Sequence, residues 1–191
     1  EGKADIPMKG ILQTSNFARA ILNKETGLIP TGGRRLVSQC GIFEYEGRFV
    51  MITDAAINIA PDVETQIGIV ENALPVARAL GIDCPKVAVL SAVENVTDKM
   101  PSTVSAKEIA ERGVEGCVIS GPLALDGAIS MESVKHKAIH DPVAGQADIL
   151  LVPFIEIGNV LYKACTYIAG KTMASTCLLY TSDAADDTPC V

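Results

Sequence analysis

The sequence predicts an α/β fold with a parallel-rich sheet and flanking helices, and two observations carry that reading. Hydrophobic residues make up 48% of the 191 positions while aromatics make up 4% and tryptophan is absent. A core of that size is therefore aliphatic, as in sheets covered by helices rather than in β-sandwiches. Through the second half, short apolar runs alternate with small polar turns and helical stretches, the pattern of a parallel sheet crossed by helices.

Residues 4–8 read as a short apolar strand closing on Lys9-Gly10. Thr14-Ser15-Asn16 offers N-cap residues for a helix through Asn23. Residues 26–35, with three glycines and a proline, read as loop. Residues 36–43 and 48–53 flank Glu46-Gly47 as a hairpin. A polar loop follows, and Asp62 caps a helix over 63–80 that ends at Gly81. Pro75 inside it should kink the helix or remove one hydrogen bond. Val87-Ala-Val-Leu90 is a strand, and Ser102 or Thr103 caps a helix through Arg112. Residues 116–120 form a strand ending at Gly121-Pro122, 124–136 a helix, 148–152 a buried strand and 156–171 a helix. A boundary near Gly81 to Pro85 divides a partial first domain, 1–83, from a second α/β domain, 84–176. From Cys177 the text changes character: Cys177-Leu-Leu-Tyr-Thr-Ser-Asp-Ala-Ala-Asp-Asp187 reads like a translated sequencing adapter. Residues 177–191 are therefore expected to stand outside the fold.

The net charge of −7 argues against nucleic acid or a membrane surface as partner, since nothing basic is available to neutralise a run of phosphates. It leaves room for one small anion held by a few arginines. No 18-residue apolar run exists, so no membrane span is expected. The cysteines at 40, 84, 117, 165, 177 and 190 form no C-x-x-C pair, so no metal site is expected. They read as small buried hydrophobes in a reducing, cytoplasmic setting. His136 and His140 lack an H-E-x-x-H frame and read as solvated helix-end residues. P-loop, G-x-G-x-x-G and G-x-S-x-G signatures are absent.

Ligands of open parallel sheets sit beyond the carboxyl ends of the strands. The runs at those ends are Lys9-Gly10 to Thr14, Thr53-Asp54 to Asn58, Ser91 to Asn95, Gly121-Pro122 to Asp126, and Pro153 to Gly158-Asn159. Their small residues let a ligand approach the backbone, and their hydroxyls, amides and open N–H groups suit phosphate oxygens. Arg19, on the helix after the first run, is a candidate phosphate contact, whereas Arg34-Arg35 reads as a solvated pair.

Several runs taken in order resemble one family. They are Asp5-Ile-Pro-Met-Lys-Gly10, Thr14 with Arg19, Thr53-Asp-Ala-Ala-Ile-Asn-Ile-Ala-Pro61 and Lys86-Val-Ala-Val-Leu-Ser-Ala-Val-Glu94 with Lys99-Met-Pro-Ser-Thr103. Gly121-Pro-Leu-Ala-Leu-Asp126, Ala144-Gly-Gln-Ala-Asp-Ile-Leu-Leu-Val-Pro153 and Gly158-Asn-Val-Leu-Tyr-Lys163 complete the set. Over residues 1–176 the chain is similar to the phosphate acetyl/butyryltransferases, and more to their butyryl branch. The resemblance implies an isocitrate/isopropylmalate-dehydrogenase-like fold of two domains with the cleft between them, truncated here, and a cytoplasmic homodimer without metal or cofactor. It implies acyl-CoA and phosphate as substrates, giving acyl phosphate and coenzyme A. It also implies that Lys9, Thr14, Arg19, Thr53, Asp54, Asn58, Ser91, Gly121, Pro122, Asp126, Gly158 and Asn159 line the cleft. Arg19 would hold phosphate, Asn58 and Asn159 would donate hydrogen bonds, and Asp126 would orient its neighbours. The family's catalytic Ser-Arg stretch and following Asp are expected to lie beyond this chain, which is then expected to be inactive alone. Phe154 stands where the family has Asp or Asn. Two alternatives share the fold: an acetyl-CoA-binding regulatory domain of a malic enzyme, and a decarboxylating dehydrogenase, whose D-x-x-x-D and arginine-rich loop are not complete here.

Overall fold

The computed structural model of the chain describes Met8 and residues 10–23, 25–28 and 36–179. The expected strand at 4–8, apart from Met8, together with Lys9 and Arg34-Arg35, lies outside the described residues. The described residues fall into two compact units, one carrying Met8 to Leu28 and the other residues 36–179.

In the first unit α1 (Thr14–Ile21) starts where Gln13 O accepts from Asn16 N and Phe17 N, each at 3.1 Å. The three expected capping residues therefore fall inside its first turn. Asn23 closes the helix with an Asx turn, its Oδ1 accepting from Glu25 N at 2.8 Å and Thr26 N at 3.0 Å.

The second unit opens with the expected hairpin. β1 (Val37–Tyr45) and β2 (Arg48–Thr53) are joined by Glu46 and Gly47, with φ of 51° and 79°. Positive φ at both positions is the twist a two-residue turn needs to keep the strands paired. α2 (Val63–Ala79) is capped by Asp62, whose carboxylate accepts from Thr65 N at 2.8 Å, and stops before Gly81 at φ 82°. It runs through Pro75, which sits on the exposed side of the helix. β3 (Lys86–Leu90), α3 (Pro101–Arg112), β4 (Val118–Leu123), α4 (Leu125–Ile129), α5 (Met131–Lys137), β5 (Ile149–Leu151), α6 (Ile155–Lys163) and β6 (Met173–Leu179) follow.

The six strands form one sheet in the order β4-β3-β5-β2-β1-β6. β4, β3, β5 and β2 are mutually parallel, and β1 is antiparallel to both β2 and β6. The sheet is thus mixed but mostly parallel. Alternate residues serve opposite faces. Val50, Ile52, Ala88, Leu90 and Leu150 pack with Leu123, Ala128 and Val143 on one side. Met51, Val87, Val89, Ile149 and Leu151 point the other way and are likewise fully buried, as are Ile69 of α2 and Ile109 of α3. Burial on both faces explains why these strands read as unbroken apolar runs. Each such side chain contributes about 1.5–3 kcal/mol.

Several expectations are corrected. The sheet crosses the expected boundary at Gly81 to Pro85, because β2 before it and β3 after it both pair with β5 through Ile149. A helix end followed by a strand start reads locally like a linker, and only the pairing distinguishes them. The fold also does not stop at Thr176: Cys177, Leu178 and Leu179 continue β6 opposite Gln39, Ser38 and Val37. An antiparallel ladder needs only backbone N–H and C=O groups, so the change of sequence character at Cys177 does not end it. The helix expected over 124–136 breaks at Ser130, whose hydroxyl caps α5 by accepting from Ser133 N at 3.3 Å. The last helix turns from α to π at Ala164–Ile168. β4 runs through Gly121-Pro122 rather than ending there. α3 starts at Pro101, with Met100 as an N-cap that makes no side-chain bond, since proline's fixed φ suits the first helical position. Among the described cysteines only Cys40 is fully buried; Cys84 and Cys177 are exposed and Cys117 and Cys165 half-buried, all as free thiols.

Candidate functional site

The carboxyl ends of β4, β3, β5 and β2 lie side by side, so four of the five polar turns follow one another along a single edge of the sheet. The turn after β2 is built around one buried carboxylate. Asp54, 2% exposed, accepts from Ala56 N at 2.9 Å and Ile57 N at 3.1 Å through Oδ1. Its Oδ2 accepts from Asn58 N at 3.0 Å and Asn58 Nδ2 at 2.5 Å. Four donors to one carboxylate wind residues 54–58 into a tight loop. The Asn58 carboxamide also donates to Val37 O at 2.9 Å. Thr53 Oγ1 donates to Gln39 O at 2.9 Å. These three side chains therefore build the loop.

α6 docks onto that loop. Ile155 N donates to Ile59 O at 3.0 Å and Asn159 Nδ2 to Ala55 O at 3.3 Å. A Cβ at Gly158 would stand 2.7 Å from Asp54 O and 2.9 Å from Ala55 Cα, so only glycine permits this approach. α6 begins at Phe154 without a side-chain cap. Its first-turn N–H groups and the positive end of its dipole are suited to an anion.

Further along the edge, Ser91 follows β3. Its N donates to Leu123 O at 2.9 Å and its hydroxyl lies 2.9 Å from Ser102 Oγ. Gly121 allows β4 to approach β3, since a Cβ there would be 2.8 Å from Val89 O. The Gly121–Pro122 peptide is cis, as is Thr53–Asp54. Asp126, in the first turn of α4, accepts from Lys137 Nζ at 3.0 Å, and the same ammonium donates to Glu94 Oε1 at 3.2 Å. That hydrogen bond holds the Asp126 carboxyl below its ordinary range and Lys137 above its own. With Glu132, Ser133 and His136 the pair lines an open depression of about 210 Å³. A second depression, about 270 Å³, is lined by Asn58, Ile59, Pro61 and Thr65 among others.

Thr53, Asp54, Asn58, Gly158 and Asn159 thus form one constellation, and Ser91, Gly121, Pro122 and Asp126 lie farther along the same edge. Thr14 and Arg19 belong to the other unit, where Arg19 is exposed on α1. Lys9 is outside the described residues. His136 and His140 are both exposed. Gln39 was not legible in the sequence, yet its Oε1 accepts from Ala55 N at 3.3 Å and its Nε2 donates to Ser175 Oγ at 2.6 Å. Lys137 was also missed, since an unbroken helix would hold it about 16 Å along the axis from Asp126, and the break at Ser130 brings the two together. Cys40 is no nucleophile here: burial, then the charge of Asp54, push its thiol up to about 12.

The family model for phosphate acetyl/butaryl transferase matches residues 1–187. Phosphate butyryltransferase of Clostridium acetobutylicum is 48% identical over 172 residues, covering 87% of this chain and 56% of that enzyme. Phosphate acetyltransferase of Rhizobium meliloti is 42% identical over 184 residues, covering 93% and 57%. The crystal structure of a branched-chain phosphotransacylase from Enterococcus faecalis V583 superposes with a TM-score of 0.81 at 40% identity, covering 88% of this chain and 61% of that one. A phosphotransacetylase from Streptococcus pyogenes gives 0.75 at 26% identity, covering 88% and 52%. The chain therefore spans little more than half the length of these relatives. With the family model matched along nearly its whole length, the chain belongs to the phosphate acetyl/butaryl transferase family.

Proposed function

We propose that the protein containing this chain moves a short acyl group between coenzyme A and orthophosphate: acyl-CoA plus phosphate gives acyl phosphate plus CoA. Phosphate oxygen attacks the thioester carbonyl, the C–O bond forms, the C–S bond breaks and the thiolate leaves, taking up a proton. Family membership supports this reading, and one observation carries it on this chain. Four polar turns line the carboxyl edge of the sheet, and the uncapped start of α6 is pinned beside the Asp54 loop. The N–H groups of 56–58 are held by Asp54 and that of Ile155 by Ile59 O, so it is the rest of the first turn of α6, with its dipole, that suits phosphate oxygens and an oxyanion.

In this proposal Asp54, Asn58, Gly158 and Asn159 shape the cradle, and ligand oxygens meet backbone N–H groups rather than these occupied side chains. Thr53, Ser91, Gly121, Pro122 and Asp126 complete the lining on this unit, and Arg19 is proposed separately as a phosphate-binding guanidinium of the other. The whole protein is proposed to take the isocitrate/isopropylmalate-dehydrogenase-like arrangement of two domains around a cleft and to act in the cytoplasm as a homodimer. It needs neither metal nor cofactor, and coenzyme A and phosphate enter as substrates. The test is phosphate-dependent release of CoA from butyryl-CoA and acetyl-CoA by the full-length protein. Release that tracks phosphate is expected; none with either thioester would reject the proposal.

A further inference from the structure

Cys84 stands two positions before β3 and Cys117 one position before the adjacent parallel strand β4. β3 and β4 pair Lys86 with Val118, and the ladder extends backward through a hydrogen bond from Val118 N to Pro85 O at 3.0 Å. Continuing that register sets Cys117 beside Pro85, one position from Cys84. A strand spacing of about 4.8 Å and an offset of about 3.3 Å put their Cα atoms about 6 Å apart. That falls within the roughly 4.4–6.8 Å that a disulfide spans. The backbone bends at 83, 84 and 117, so strict alternation does not dictate which face the two side chains take there. Cys84 is exposed and Cys117 half-buried, its Sγ 3.4 Å from Val114 O.

Cys117 also responds to the charge of Cys84. Burial, then the charge of Cys84, push the Cys117 thiol up to about 11, while Arg78 pulls it the other way. Arg78 Nη2 stands 2.5 Å from where a Cβ of Gly116 would be, which places the guanidinium against this same corner at the end of α2. Gly116 thus makes room for the cation beside the pair.

We infer that Cys84 and Cys117 form a redox-active dithiol at the amino edge of the sheet, a modification site whose reaction partner is a low-molecular-weight disulfide. The Cys84 thiolate attacks one sulfur of that disulfide, an S–S bond forms as the old one breaks, and the first small thiol leaves with the proton Cys84 gave up. The Cys117 thiolate then attacks the Cys84 sulfur, forming the internal disulfide and releasing the second small thiol with the remaining proton. The pair loses two electrons and the small disulfide gains them. Exposure makes Cys84 the thiol that reacts first with the small disulfide and the half-buried Cys117 the one that resolves. The site lies at the end of the strands opposite the Asp54 loop, so it is separate from the proposed acyl-transfer edge.

The test treats the reduced full chain with oxidised glutathione, blocks remaining thiols with N-ethylmaleimide and maps tryptic peptides by mass spectrometry. A cross-link between residues 79–86 and 113–135, removed by dithiothreitol, is expected. In Cys117→Ser, a glutathione adduct persisting on Cys84 is expected in its place. A wild-type chain that keeps glutathione on Cys84 while Cys117 is alkylated would overturn the inference, as would one in which both cysteines are recovered alkylated after the treatment.

Discussion

Asp54 does its work before any ligand arrives. Its four donors all come from within the next four residues, so one carboxylate closes the loop that follows β2. Asp54→Asn keeps one acceptor oxygen and sets an amide N–H₂ against N–H groups. We expect a loss of about 3 kcal/mol in urea unfolding, in line with breaking charge-assisted bonds inside a protein. At Gly158 two effects compete. Alanine would raise helix propensity by about 1 kcal/mol, but its Cβ would meet backbone atoms of residues 54 and 55 that cannot step aside. The clash wins, so Gly158→Ala should destabilise by about 1–3 kcal/mol and weaken substrate binding if the cradle forms the site. The Cys40 thiol, held near 12 by burial and the Asp54 charge, should resist iodoacetamide at pH 8 in the native chain while exposed Cys84 is labelled. Labelling of Cys40 at a comparable rate would contradict its placement in the core.

Among the elements, the break between α4 and α5 depends on Ser130, which ends one helix and caps the next. Ser130→Ala should cost about 1 kcal/mol, read as a lowered midpoint of thermal unfolding. Lys137 of α5 ties Asp126 of α4 to Glu94 beyond β3. Its hydrogen bond depresses the Asp126 carboxyl, so the bond contributes above that group's unfolded pKa and is lost as pH falls through the folded value. Both groups are exposed, so the effect on stability is small. The carboxyl itself is the sharper reporter: in Lys137→Met, an NMR titration should show the Asp126 pKa moving up toward its ordinary range. No movement would show that the bond seen here does not persist in solution.

For the molecule as a whole, β6 is the element that closes one side of the sheet. It covers β1 from Val37 to Phe43 in an unbroken antiparallel ladder. Truncation after Thr172 would bare that edge, and unpaired strand edges recruit other chains. The expected outcome is a lower unfolding midpoint and a concentration-dependent rise in light scattering; an unchanged, monodisperse product would show that β1 needs no cover.

The sequence by itself determined the α/β class, the hairpin at Glu46-Gly47, the Asp62 cap and the Gly81 stop. Each rests on local backbone chemistry or on apolar runs whose length and spacing are set within a few residues. It also located the four turns beyond β2, β3, β4 and β5, because small polar residues after an apolar run mark a strand's carboxyl end. Tertiary structure alone decided that one sheet crosses residues 81–85, that β6 reaches past Cys177, and that Asn58 and Asn159 bind the backbone. The same is true of Gln39 and Lys137. Those are pairings between residues far apart in the chain, fixed by strand order and register, which no local pattern encodes.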